Sequence, residues 1–186
     1  MTLTVREARA DEYEEVARLT VEAYEEYAAS LSDESWEHYR SDLADVAGRA
    51  GKGQILVAED GDHLLGAVAY YPPGPRPGGV DWWWWPEDYA YFRALAVHPA
   101  ARMRGVGRAL ALACVQRARD QGASGVALNT TSVMPVAQTM YERLGFRRVV
   151  EGVPESHSEV GLMCYVMELS SDGARPSRPT RASGEA

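Results

Sequence analysis

Residues 91–118 read YFRALAVHPAARMRGVGRALALACVQRA. The stretch opens on an apolar run, part of Tyr89–Val97, that suits a buried strand. His98-Pro99 ends it, because proline lacks a donor and pushes the residue before it out of helical geometry. From Gly105 to Gln121 the chain is helical, with Gly122 as its stop. The turn between strand and helix carries Gly105 and Gly107, which lack Cβ and let a bulky ligand approach backbone N–H groups. A helix start leaves about four such donors without intrahelical partners. It is therefore a ready anion site. Arg102, Arg104 and Arg108 gather at this same positive end, where each cation is unfavourable by roughly 0.3–1 kcal/mol. A bound polyphosphate would account for them; side chains splayed into solvent are the plainer reading. No GxxxxGKS or GxxxxGKT occurs, and Gly105-Val106-Gly107-Arg108-Ala109-Leu110 has Leu where a dinucleotide fingerprint needs Gly or Ala. No Lys or hydroxyl stands ready for a metal-bound triphosphate. The expectation is a pyrophosphate held by backbone and Arg, with no metal.

Working outward, Thr4–Glu7 reads as a short strand, and Asp11 opens a helix with Glu14 placed as in a capping box. Val16, Leu19, Ala23 and Tyr27 share one face of that helix. A second helix runs from Glu34 to Val46 with Trp36, Tyr39, Leu43 and Val46 as its stripe. Ile55–Glu59 and Leu64–Tyr71 flank Asp60-Gly61-Asp62, a hairpin signal. PPGPRPGGVDWWWWPED, residues 72–88, cannot be a central strand. Beyond the long helix, Val126–Thr130 is a short buried strand. Pro135–Leu144 is a helix with Pro in its first turn and Gly145 after its end. Phe146–Val150 and Leu162–Leu169 close the fold. The order β-α-α-β-β-β-α-β-α-β-β predicts an α/β fold: a mixed sheet, parallel in the middle and antiparallel elsewhere, with helices on both faces.

The chain has 186 residues, 46% hydrophobic and 25% charged, which suits one soluble domain. Residues 1–169 form the expected domain; 170–186 have no large apolar side chain and should be a disordered tail. No run approaches a membrane span and the N-terminus has no apolar leader, so a cytoplasmic protein without a membrane partner is expected. Cys114 and Cys164 then read as reduced core residues. A net charge of −8, from 27 acids against 19 bases, argues against nucleic acid as a partner. It suits a cationic substrate such as an amine, or simply solubility.

Arg102-Met103-Arg104-Gly105-Val106-Gly107 resembles the pyrophosphate turn of the GNAT superfamily of N-acetyltransferases. That turn is an Arg or Gln, two residues, Gly, one residue, and Gly or Ala. Leu95-Ala96-Val97-His98-Pro99 looks like that family's approach to the turn. Ala137-Gln138-Thr139-Met140-Tyr141-Glu142-Arg143-Leu144-Gly145-Phe146 resembles its A-x-x-x-Y-x-x-x-G-F helix end. The element order agrees from Thr4 to Leu169. The resemblance implies acetyl-CoA, or another acyl-CoA, as co-substrate and an amine as acceptor; a small-molecule amine is the expectation, with an antibiotic, an amino acid or a protein terminus as the alternatives. The backbone of Leu95, Ala96 and Val97 would pair with the pantetheine arm. That of Met103, Arg104, Gly105, Val106, Gly107 and Arg108 would cradle the pyrophosphate. Arg102 would anchor the turn or the ADP end, and Asn129 would hold pantetheine or a water. An N–H near Val97 would polarise the thioester carbonyl, and Tyr141 would serve the leaving thiolate as acid or hydrogen-bond donor.

This sequence departs from the family at Met134, where the family often carries a capping Asn; Ser132 is the expected substitute. The strand before the turn lacks a carboxylate, which leaves Glu87, Asp88, Glu25 and Glu26 as candidate bases. His98 reads as structural. Trp82–Trp85 either line an acceptor pocket, form a partner surface such as a homodimer's, or pack on the sheet. A non-catalytic module that binds acyl-CoA or a partner, and a nucleotide-binding regulator, are the rival readings.

Overall fold

The computed structural model describes residues 2–75, 85–149 and 159–169. Among them the chain runs β1 (Leu3–Glu7), α1 (Tyr13–Tyr24), α2 (Asp33–Ala44), α3 (Val46–Ala50), β2 (Gln54–Asp60) and β3 (His63–Tyr71). It continues with β4 (Tyr89–Val97), α4 (Val106–Asp120), β5 (Gly125–Thr131), α5 (Pro135–Arg143), β6 (Arg147–Val149) and β7 (Leu162–Glu168). The strands form a 7-stranded sheet ordered β1-β2-β3-β4-β5-β7-β6. Only β4 and β5 pair in parallel; every other neighbour is antiparallel. The α4 crossover is what that parallel pair requires. The mixed α/β sheet is as the sequence predicts.

Alternation along the strands sorts the core into two faces. Leu56, Val68, Phe92 and Leu128 point to one face, under Leu110, Cys114 and Val115 of α4 and Tyr141 of α5. Val57, Ala67, Ala69 and Tyr91 point to the other, under Val16 of α1, Val46 and Trp85. A third cluster of Leu19, Ala23, Tyr24, Leu43 and Ala96 joins α1 and α2 to the far end of β4. Each fully buried leucine, such as Leu110 or Leu128, contributes roughly 1.5–3 kcal/mol from burial.

Three expectations shift in detail. A 3₁₀ turn, Ala10–Glu12, precedes α1, and Glu12 rather than Glu14 closes it, accepting the Arg9 N–H at 2.7 Å. Glu12 also binds Arg6 at 2.7 Å; that guanidinium and the Arg9 amide hold its carboxyl at about 2, well below the usual range. The first helix leaves α geometry after Tyr24, continuing as a 3₁₀ stretch to Ser30, so Tyr27 lies past its end. The second helix breaks at Asp45, whose carboxylate takes the Gly48 N–H at 2.9 Å and starts α3 as a separate element.

The ends of the Pro/Gly loop are pinned where Gly74 N–H meets the Glu87 carbonyl at 2.7 Å. Trp82–Trp84 and the expected tail, residues 170–186, lie outside the described residues. Cys114 and Cys164 are free and buried. Among the described residues no helix is long and apolar enough to cross a membrane.

Candidate active site

β4 and β5 pair only from Tyr89–Gly125 to Phe92–Leu128, although both strands run on to Val97 and Thr131. Past Phe92 they part. On the other edge of β4 the register slips: Ala69 faces Arg93 but Ala67 faces Ala96, so Ala94 and Leu95 bulge. Ala94 takes φ +50°, a left-handed conformation that costs a non-glycine residue about 1–3 kcal/mol. The His98 N–H donates to the Leu65 carbonyl of β3 at 2.9 Å. Because successive amides of an extended strand face opposite edges, the Val97 N–H is turned toward the gap.

The gap opens into a cleft of ≈ 1440 Å³. The start of α4 forms one end. Gly105 stands at its N-cap with φ +82° and no side-chain cap, so the first-turn donors face the cleft with no side-chain acceptor among the described residues. A Cβ on Gly105 would meet nothing within 4 Å, so glycine is needed there for its backbone conformation. At Gly107 the reason differs: a Cβ would lie 3.3 Å from Met140 Sδ and 3.4 Å from Val97 Cγ2. Its absence lets neighbouring side chains close on the helix, besides leaving the backbone open. Met103, in the same turn, has φ +60° and is 96% exposed.

Leu95, Ala96, Val97, Arg102, Met103, Gly105, Val106, Gly107, Arg108, Asn129 and Tyr141 all line the cleft. Arg104 does not; its guanidinium turns away to Asp60 at 3.6 Å. Arg102 donates to the Ala23 carbonyl at 3.0 Å and pairs with Glu26 at 2.6 Å, which ties the turn to α1. Two of the three arginines at the positive helix end thus have acidic partners in the fold, which weakens the expectation that only a phosphate explains the cluster.

Tyr141 sits on α5, whose end is marked by Gly145 at φ +97°. Its ring packs 5.9 Å from Phe92, 5.8 Å from Phe146 and 6.3 Å from Tyr165. Burial pushes its pKa up, so the hydroxyl stays protonated and can donate. Among the described residues that hydroxyl has no hydrogen-bond partner, and it borders the cleft. Met134 is the N-cap of α5 and makes no side-chain cap. Ser132 does not replace it, because its hydroxyl donates to the Val160 carbonyl at 2.6 Å.

Glu87 and Asp88 are exposed at the opposite end of β4 and do not line the cleft, and neither does Glu25. Glu26 does, engaged by Arg102. Glu159 lines it too, accepting from Ser32 N–H at 2.8 Å, Ser32 Oγ at 2.9 Å and Ser35 Oγ at 2.8 Å. His98 Nδ1 accepts the Ala100 N–H at 3.2 Å and so caps its own turn. Trp85 is buried and stacks on Tyr91 with centroids 3.9 Å apart, which is the packing role.

Sequence reading missed Arg93 and the tyrosines of the facing wall. Tyr24 donates to the Leu95 carbonyl at 3.2 Å, and its ring meets Tyr27 and Tyr39 edge-on at 6.0 and 5.8 Å. Arg93 pairs with Asp42 of α2. The available signal was a charge inside an otherwise apolar strand; Tyr27 and Tyr39 carried only a helix-stripe signal, and Tyr24 carried none. No group of three or more His, Cys, Asp or Glu side chains able to hold a metal ion occurs among the described residues.

The model of the acetyltransferase (GNAT) family matches residues 10–146. N-acetyltransferase 8F1 of Rattus norvegicus is 34% identical over 96 residues, which cover 52% of this chain and 40% of the rat protein. The matches to curated relatives span 37% to 50% of the relatives' length. A GCN5-related N-acetyltransferase from Kribbella flavida superposes with a TM-score of 0.60 and 27% identity, over 90% of this chain and 98% of that one. The yncA structure from Salmonella typhimurium, solved with its cofactor acetyl-CoA, has a TM-score of 0.64 at 16% identity, over 96% of this chain and 100% of that one.

Proposed function

This chain belongs to the GNAT acetyltransferase family, and on that premise we propose that it moves an acetyl group from acetyl-CoA to a primary amine by direct attack. The observation that carries the reading is the parted β4–β5 pair, with free helix donors at one end and the Tyr141 hydroxyl on its wall. That donor set fits the co-substrate. The first-turn N–H groups at Val106, Gly107 and Arg108 suit a pyrophosphate, and the unladdered edge of β4 suits the amides of a pantetheine arm. Arg102 acts as the anchor of the turn.

Acetyl-CoA supplies an activated thioester. The amine nitrogen bonds to the carbonyl carbon, the carbon–sulfur bond breaks, and the sulfur departs with the electron pair. The amine gives up a proton to water. The Val97 N–H stabilises the oxygen where negative charge gathers. Tyr141 donates a hydrogen bond to the departing sulfur. Full proton transfer from a phenol near 10 to a thiolate near 8.5 is uphill by roughly 2 kcal/mol, and burial makes it steeper. The hydrogen-bond role is therefore the one burial supports. A small-molecule amine in the cytoplasm is the acceptor that this reading favours.

One observation favours the non-catalytic rival: among the described residues both carboxylates that line the cleft, Glu26 and Glu159, are already engaged. Incubating the protein with acetyl-CoA and a panel of amines, with free thiol and product mass as readouts, separates the two. Amine-dependent thiol release supports the enzyme. Tight acetyl-CoA binding with no release from any amine supports the rival.

A further inference from the structure

The bulge in β4 needs something to hold it. Its ladder with β5 has ended at Phe92, its ladder with β3 is interrupted opposite Val68, and Ala94 is held in a left-handed conformation that alanine rarely adopts. Nothing local favours this shape: the residues there, Ala94, Leu95 and Ala96, offer no side-chain hydrogen bond. The constraint comes from far along the chain. Tyr24, on the last turn of α1, reaches across and donates its hydroxyl to the Leu95 carbonyl at 3.2 Å. The ring is itself gripped, edge-on, by Tyr27 and Tyr39. Arg102, seven residues beyond Leu95 along the backbone, fixes the same segment of α1 by its bond to the Ala23 carbonyl at 3.0 Å. The end of α1 is thus fastened to both ends of the Leu95–Arg102 segment.

Resting on the acetyl-transfer reading above, we infer that Tyr24 is a positioning residue: through the Leu95 carbonyl its hydroxyl fixes the bulge that aims the Val97 N–H into the gap. It touches neither the thioester nor the amine in this role. Its action is to keep one peptide from rotating, so that the donor lies where charge develops instead of being drawn back into a regular ladder with β3. Burial, which pushes the Tyr24 pKa well up, keeps the hydroxyl protonated and the bond intact across the neutral and mildly alkaline range. A ring that served only as packing would lose nothing when the hydroxyl is removed, and that makes the two roles separable.

The test is Tyr24→Phe in the full chain. In the free protein, amide hydrogen exchange at Leu95, Ala96 and Val97 should quicken by about fivefold, the effect of losing one modest hydrogen bond. With acetyl-CoA and the best amine of the panel, kcat should fall by about tenfold or more, because misplacing a donor acts on the chemical step. The CoA Kd should stay within about threefold, since the helix donors that hold the pyrophosphate are untouched. The melting temperature should hold, because the ring remains. Exchange and kcat both within twofold of wild type would overturn the assignment, as would faster exchange with kcat unchanged. If the wild-type protein releases no thiol with any amine, the acetyl-transfer reading fails; the exchange measurement still decides whether Tyr24 holds the bulge.

Discussion

Tyr89–Phe92 and Arg93–Val97 are consecutive halves of one strand, and they have little else in common. The first half is laddered to β5 along its whole length and to β3 at Tyr91 and Phe92, and Ala90, Tyr91 and Phe92 are almost fully buried, with Trp85 stacked on Tyr91. The second half has one ladder, a slipped register, a left-handed alanine and an open edge. The difference lies in the neighbours, since both halves are apolar apart from Arg93. Where β5 runs alongside, β4 is scaffold; where β5 diverges, the same backbone becomes a row of donors and acceptors facing a cleft. A site can thus be made by withholding a partner from an ordinary strand.

If that division is real, substitutions around the open half should change chemistry, and those around the laddered half should change stability. Tyr141→Phe keeps the ring among Phe92, Phe146 and Tyr165 and removes only the hydroxyl. Its kcat should drop by about 10²–10⁴-fold with acetyl-CoA Kd little altered. A kcat within about threefold of wild type would place Tyr141 with the scaffold instead. Leu128→Ala, opposite Phe92 on the laddered side, should lower the unfolding free energy by about 2–5 kcal/mol in urea titration. Acetyl-CoA affinity of the folded fraction should survive; a lost affinity with intact stability would reverse the division. Gly107→Glu puts bulk and negative charge beside the free helix donors. Acetyl-CoA Kd by calorimetry should weaken by about 100-fold or more. The melting temperature should fall only modestly, because the nearest obstacle is the flexible Met140 side chain.

The smallest effect is expected far from β4. Glu12 titrates at about 2 in the fold against 4.5 for the free group. Its stabilisation is therefore complete above pH 4.5 and is lost as pH falls toward 2. Glu12→Gln should cost about 2 kcal/mol at pH 7 and flatten the acid limb of the stability curve. Turnover at neutral pH should be unaffected. A stability profile parallel to wild type would mean that the Arg6 contact contributes nothing.

The strand order, the crossover helix and the glycine turn were legible because each has a local cause: hydrophobic period, Pro and Gly punctuation, and unsatisfied helix donors. Most of the predicted cleft lining was legible through the same turn and through the Tyr-bearing helix. The turn of the Arg104 guanidinium toward Asp60 was hidden because that partner comes from a strand distant in sequence. The break at Asp45 was hidden because Trp36, Tyr39, Leu43 and Val46 keep one helical stripe across it. Tyr24 falls outside the stripe of Val16, Leu19, Ala23 and Tyr27, and nothing in the period of α1 reveals that its hydroxyl meets a carbonyl on β4. Glu87 and Asp88 looked plausible as bases by proximity in sequence, but a strand has two ends and they occupy the other one.

The place of β7 has a consequence for synthesis. It lies between β5 and β6, although it follows both in the chain. A nascent chain that has released β5, α5 and β6 from the ribosome still has an open, apolar strand edge along Val126–Thr130. That edge stays unpaired until Glu168 has emerged. Until then the wall that carries Asn129 has no neighbour to hold it. The sheet is therefore completed by a strand inserted one place in from its edge, and chains stalled before Leu162 should present a sticky edge for chaperones to cover.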